Sequence, residues 1–125
     1  MTLRTRQRLL LLIVIVMIIV TAFVPRIAQD PAYHNFADQR AFFSIPNFFD
    51  VTSNLPFLFV GVWGLWMVGR CHFLDPVERW PYVVLFIGIF LTCFGSAYYH
   101  WTPNNQTLVW DRLPMTIAFM GLLSG

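Results

Sequence analysis

Ser96, His100 and Asp111 place a hydroxyl, an imidazole and a carboxylate within GSAYYHWTPNNQTLVWDRLP, residues 95–114, in a chain that otherwise carries few such groups. Ser96 precedes His100 by four residues and Thr92 precedes Ser96 by four, so on a helix all three share one face. Pro103 cannot continue a helix and disfavours helical backbone in the residue before it, so His100 falls in a last turn. After the short TPNNQT link, Thr107 or one of the asparagines can cap a following helix that carries Asp111 about one to two turns inside. Antiparallel helices joined by so short a link are neighbours, which puts His100 and Asp111 at similar depth and lets them face each other.

A carboxylate in or near hydrocarbon costs about 2.5–3.5 kcal/mol on insertion scales, so it has a partner or a use. Imidazole is the usual protein ligand for zinc, a carboxylate nearby can act as a general base, and a hydroxyl can orient either. Catalytic zinc takes three protein ligands and keeps an open position, so one histidine does not make a site. On the residues alone a plainer reading stays open, in which Asp111 pairs with Arg112 or snorkels to the interface and His100 is an inert interfacial group beside Trp101.

A second set of oxygen-bearing side chains lies earlier. Asn47, Asp50 and Asn54 fall at i, i+3 and i+7 on one helix face, with Asp38 in the loop before them, and hard cations such as calcium take such oxygens. The alternative is that Asn47 or Asp50 caps the helix while Asp38 and Arg40 are solvated loop charges.

The elements that must position these groups follow from composition. Of 125 residues, 58% are hydrophobic and 11% charged, against about 25% charged in a soluble domain, and the mean hydropathy is +0.63. That deficit cannot cover a water-facing surface. Apolar runs of membrane-crossing length occupy about 8–25, 50–69 and 80–101, and a fourth runs from about 107 to 125. The fold class expected is therefore all-α, a polytopic transmembrane helix bundle of about four spans in a single membrane domain, 1–125. A signal peptide is the competing reading of the first run, given the basic MTLRTRQR before it. The run is longer than an h-region and no clear small-x-small cleavage site follows, which favours a retained anchor.

Arg4, Arg6 and Arg8 crowd the N-terminus, and Arg70 and Arg79 flank the loop between the second and third runs. The other two connections carry only Arg26 and Arg40. The positive-inside rule puts the N-terminus in the cytoplasm and residues 25–50 and 102–106 on the opposite face, as expected of a bacterial inner-membrane protein. Trp63 and Trp66 near Arg70, with Trp80 and Trp101, read as an interfacial aromatic belt. A net charge of +2 with arginines at span ends leaves no basic patch for nucleic acid, and Cys71 and Cys93 form no readable disulfide framework.

Ser96-x-x-x-His100 followed eleven residues on by Asp111 resembles the first half of the signature of the alkaline ceramidase family, within a wider group of seven-helix membrane hydrolases. NFFDVTSNLPFL, residues 47–58, is similar to that family's first core helix with its Ser-Asn-Leu. The resemblance covers about residues 33–125 and leaves the first span as an extra helix. It implies that His100 is one of three zinc ligands, that Asp111 orients or deprotonates the attacking water, and that Ser96 supports the site. The activity implied is zinc-dependent cleavage of the amide bond of a ceramide-like membrane lipid, releasing a sphingoid base and a fatty acid. It also implies calcium bound around Asp38, Asn47 and Asp50, although the related eukaryotic enzymes have an acidic residue where this chain has Asn47.

The chain departs from the pattern in one respect. Its histidines are His34, His72 and His100, and the His-x-x-x-His pair that the family carries on its last helix does not follow Asp111. The expectation is an N-terminal part of a longer protein with three or four further spans, the alternative an inactive relative. Two other classes stay open, a non-catalytic membrane receptor or transporter and a haem-binding anchor with His100 as an axial ligand.

Overall fold

The computed structural model describes residues 3–25 and 27–125, and over these the chain is helical, with no β-strand beyond an isolated bridge between Phe42 and Ile45. The helices are α1 (Leu3–Phe23), α2 (Phe48–Thr52), α3 (Leu55–Arg70), α4 (Arg79–Trp101) and α5 (Leu108–Ser124). Short 3-10 turns cover Pro31–His34 and Pro76–Glu78. Three stretches are long and apolar enough to cross a membrane: Arg4–Phe23, Phe48–Arg70 and Pro76–Trp101. α5 has 17 residues and is nearly as apolar. Arg26, part of the charge pattern used for orientation, lies outside the described residues.

The second span is broken at its start. Pro56 has no N–H to offer the Thr52 carbonyl, so the helix stops there and begins again at Leu55. Side chains take over the freed backbone groups: Ser53 Oγ and Asn54 Nδ2 both donate to the Asp50 carbonyl, at 2.8 and 2.9 Å. In hydrocarbon an unpaired carbonyl costs several kcal/mol, and these two bonds satisfy the Asp50 carbonyl, whose usual partner, the Asn54 N–H, turns to Val51.

α4 is the central helix, packed most extensively against α5 and then against α3. The α4–α5 contact is close because small residues form it. A Cβ on Gly95 would collide with the Trp110 carbonyl, and one on Gly121 would collide with the backbone of Leu85. Pro114 explains the first approach: it cannot donate to the Trp110 carbonyl, which is left turned toward the Gly95 Cα.

α1 stands apart from this bundle. None of its apolar window is buried within the chain, and Leu9 to Val20 are each about half exposed or more.

Candidate functional site

α4 ends at Trp101 with Thr102 as its C-cap, as Pro103 dictates, and His100 lies in the last turn. Its polar face is inward: Thr92 is 4% exposed and Ser96 3%. Thr92 directs its hydroxyl to the Gly88 carbonyl one turn back, at 2.8 Å, the usual resolution for a threonine inside a helix. Ser96 sits between Thr92 and His100 on that face.

The link to α5 is an asparagine turn. Asn104 Oδ1 accepts from the backbone N–H of Gln106 and Thr107, at 2.8 and 2.9 Å, while Thr107 Oγ1 donates to the Thr102 carbonyl at 2.6 Å. Thr107 is the N-cap residue of α5, though its side chain makes no cap bond, and Asn104 braces the turn that leads into it. Asp111 follows in the first turn of α5.

Three side-chain atoms are buried without a hydrogen-bond partner among the described residues: His100 Nδ1, Asp111 Oδ1 and His34 Nε2. They surround Tyr99. The Tyr99 ring lies 5.4 Å from that of His100 and 5.8 Å from that of His34, and Asp111 is within its electrostatic reach. The Asp111–Arg112 pair of the plainer reading is not formed. Arg112 Nη2 donates instead to the Tyr33 hydroxyl at 3.0 Å, and the ion pair among the described residues is Arg40–Asp38.

The segment from Ile27 to Asn47 folds over this end of α4 and α5. Gln29 exchanges two hydrogen bonds with the Asn105 side chain, at 2.8 and 3.3 Å. Asp30 caps the Pro31–His34 turn by accepting from Ala32 N–H at 2.8 Å, which sets His34 Nδ1 2.9 Å from the Tyr99 hydroxyl. The Phe36 ring then covers His100 at 4.6 Å and Tyr99 at 5.4 Å. Asn47 Nδ2 closes the segment by donating to the His100 carbonyl at 2.7 Å. That carbonyl lies in the last turn of α4, beyond the reach of intrahelical amides, so it needs an outside donor.

Around α2 the structure redistributes the roles expected from sequence. Neither Asn47 nor Asp50 caps this helix through its side chain; Asn47 is in the left-handed region at φ 48° and its amide is directed to α4. The cap comes from Asp38, whose Oδ2 accepts from Phe49 N–H at 2.9 Å while Oδ1 accepts from Arg40 Nε at 2.6 Å. Asp38 is no solvated loop charge, being 8% exposed. The Arg40 hydrogen bond holds its carboxyl below the ordinary value, aided by the Phe49 amide and opposed by burial. Phe43 and Ser44 also have left-handed backbone, at φ 49° and 64°, so this loop is strained and held by its contacts. Asp50 is half-buried and contributes its carbonyl to the α2–α3 break.

Among the described residues no three His, Cys, Asp or Glu side chains are grouped so as to hold a metal ion. His100 and Asp111 are thus part of a ligand set at most. His72 and Cys71 belong to the connection between α3 and α4 and take no part. Sequence reasoning missed Tyr33, Phe36 and Tyr99, and placed His34 only in a loop. No period marks such residues, since their position depends on where the 27–47 segment docks. No protein-family model matches the chain, and neither a curated protein nor a solved structure matches it.

Proposed function

We propose that the chain carries part of the centre of a zinc-dependent membrane hydrolase that cleaves the amide bond of a ceramide-like lipid. The observation that carries the reading is the pair of buried, unpartnered atoms on adjoining helices, His100 Nδ1 and Asp111 Oδ1. Leaving such groups unpaired costs about 1–3 kcal/mol each, more for a charge, so the arrangement is complete only with something bound between or beside them. The imidazole nitrogen is a donor that suits zinc, two more protein ligands being needed beside it, and the carboxylate oxygen is left to face the attacking water.

In this reading His100 binds through its neutral ring, which Phe36 and the Asn47 bond to its carbonyl hold in place. Asp111 accepts a proton from the attacking water and returns it to the departing amine, as a base shielded from bulk solvent can. Ser96, buried one turn below His100 on the same face, is the supporting hydroxyl in this reading. Zinc, when bound, supplies Lewis-acid polarisation of the amide carbonyl. A site at membrane depth suits a substrate that stays in the bilayer, and we place the N-terminus in the cytoplasm of a bacterial inner membrane on the arginine asymmetry.

Calcium at Asp38, Asn47 and Asp50 fits less well. It would have to displace Arg40 and the Phe49 amide from Asp38, so no step is assigned to it.

The test is zinc per protein by elemental analysis beside fatty-acid release from a short-chain ceramide. Bound zinc with turnover supports the hydrolase. Bound zinc without turnover favours a receptor or transporter on the same scaffold, and a Soret band in place of zinc favours a haem anchor.

A further inference from the structure

We infer that the groove between residues 27–29 and α5 binds an anionic phospholipid, with Arg112 on its phosphate. This inference is independent of the hydrolase reading, since it uses none of Ser96, His100 and Asp111. The groove encloses about 780 Å³, in the range of ligand-sized sites.

Its polarity is graded. Gln29 and Asn105, bonded to each other, form a polar rim with Arg112. Val109, Leu113 and Thr116 continue the wall, on the same α5 face as Arg112 by their i, i+3, i+4 and i+7 spacing. Val109 is 57% and Leu113 50% exposed within the chain, and the Thr116 hydroxyl is engaged with the Arg112 carbonyl at 2.9 Å. The α5 wall beside and below Arg112 therefore offers hydrocarbon contact and no unengaged hydroxyl.

Arg112 makes no ion pair among the described residues. The Tyr33 hydroxyl at 3.0 Å and the Tyr33 ring at 5.7 Å steer its guanidinium without neutralising it. A planar cation at the rim with other donors left over matches a phosphate diester, and the wall beneath matches an acyl chain. Inorganic phosphate would leave the apolar wall bare. A zwitterionic lipid brings its own cation to compete with the guanidinium.

The experiment is native mass spectrometry of the purified chain released from nanodiscs of equal phosphatidylglycerol and phosphatidylcholine. We expect phosphatidylglycerol to be retained over phosphatidylcholine by about fivefold, the factor one interfacial cation contributes. Arg112→Gln should bring that ratio close to one, Arg112→Lys should keep part of it, and Arg70→Gln, at the far end of α3, should leave it unchanged. Equal retention of the two lipids by the wild-type chain overturns the proposal whether or not the variants fold. So does a preference that survives Arg112→Gln. If millimolar inorganic phosphate strips the bound lipid preference, the groove is a simple anion site and the lipid assignment fails.

Discussion

The side-chain amide of Asn47 reaches the main-chain carbonyl of His100 across 2.7 Å, joining the entrance of the second span to the exit of the third. Asn47 also adopts left-handed backbone, which glycine tolerates as well and alanine does not. The two contributions can be separated by substitution. Asn47→Gly should cost about 1–3 kcal/mol, the penalty of an orphaned buried carbonyl, and Asn47→Ala should cost roughly 1 kcal/mol more for strain. Thermal unfolding in detergent measures both. Equal losses would mean the backbone conformation carries no strain.

Asp38 should give the fold an acid-sensitive joint. Its folded pKa is lowered by Arg40, so its contribution is complete above the ordinary value of 3.8 and is lost as pH falls through the lower folded value. Comparing unfolding midpoints at neutral pH and near pH 3, the wild-type chain should lose more stability than Asp38→Asn, which has no proton to take up. Parallel pH profiles for the two proteins would place the acid sensitivity elsewhere.

For the proposed reaction, three substitutions have distinct signatures. His100→Ala should lose zinc and turnover together, because it removes a ligand. Asp111→Asn should keep most of the metal and lose most turnover, since the amide keeps the shape but cannot accept a proton. Ser96→Ala should cost about 10- to 100-fold, the usual effect of deleting a supporting hydrogen bond beside a metal. Elemental analysis paired with fatty-acid release reads all three. Full zinc occupancy in His100→Ala, or undiminished turnover in Asp111→Asn, refutes the assigned roles.

Gly95→Ala tests the helix contact that carries the site. Its methyl would meet the Trp110 carbonyl, which is backbone and cannot rotate away, so α4 and α5 must separate. A cost of about 1–3 kcal/mol is expected, the range for overpacking. Gly69→Ala is the control, since a Cβ there meets nothing. Equal stability of the two variants would show that α4 and α5 are not in intimate contact.

The spans were legible because hydrocarbon imposes a length and an absence of charge that can be read without any contact information. His100 in a last turn followed from Pro103, and the adjacency of α4 and α5 followed from the brevity of the link. Pro56 marked the break in the second span, yet the expected span ran through it, because a proline in a first turn and a proline after a kink look alike until the Thr52 carbonyl is traced. Asp38 and His34 were opaque for another reason. Both lie in irregular backbone, where burial depends on contacts such as Gln29–Asn105 that connect residues far apart in the chain.

The separation of α1 from α3, α4 and α5 decides which of its properties the rest of the fold can feel. Toward residues 27–125, a helix that buries none of its apolar window against them carries only a thickness and a sign at each end. Its residues can be shuffled among themselves without disturbing the reading frame of contacts in α3, α4 and α5. Changes in its length, by contrast, alter how deep the 27–47 segment begins, and with it the cover that lies over Tyr99 and His100.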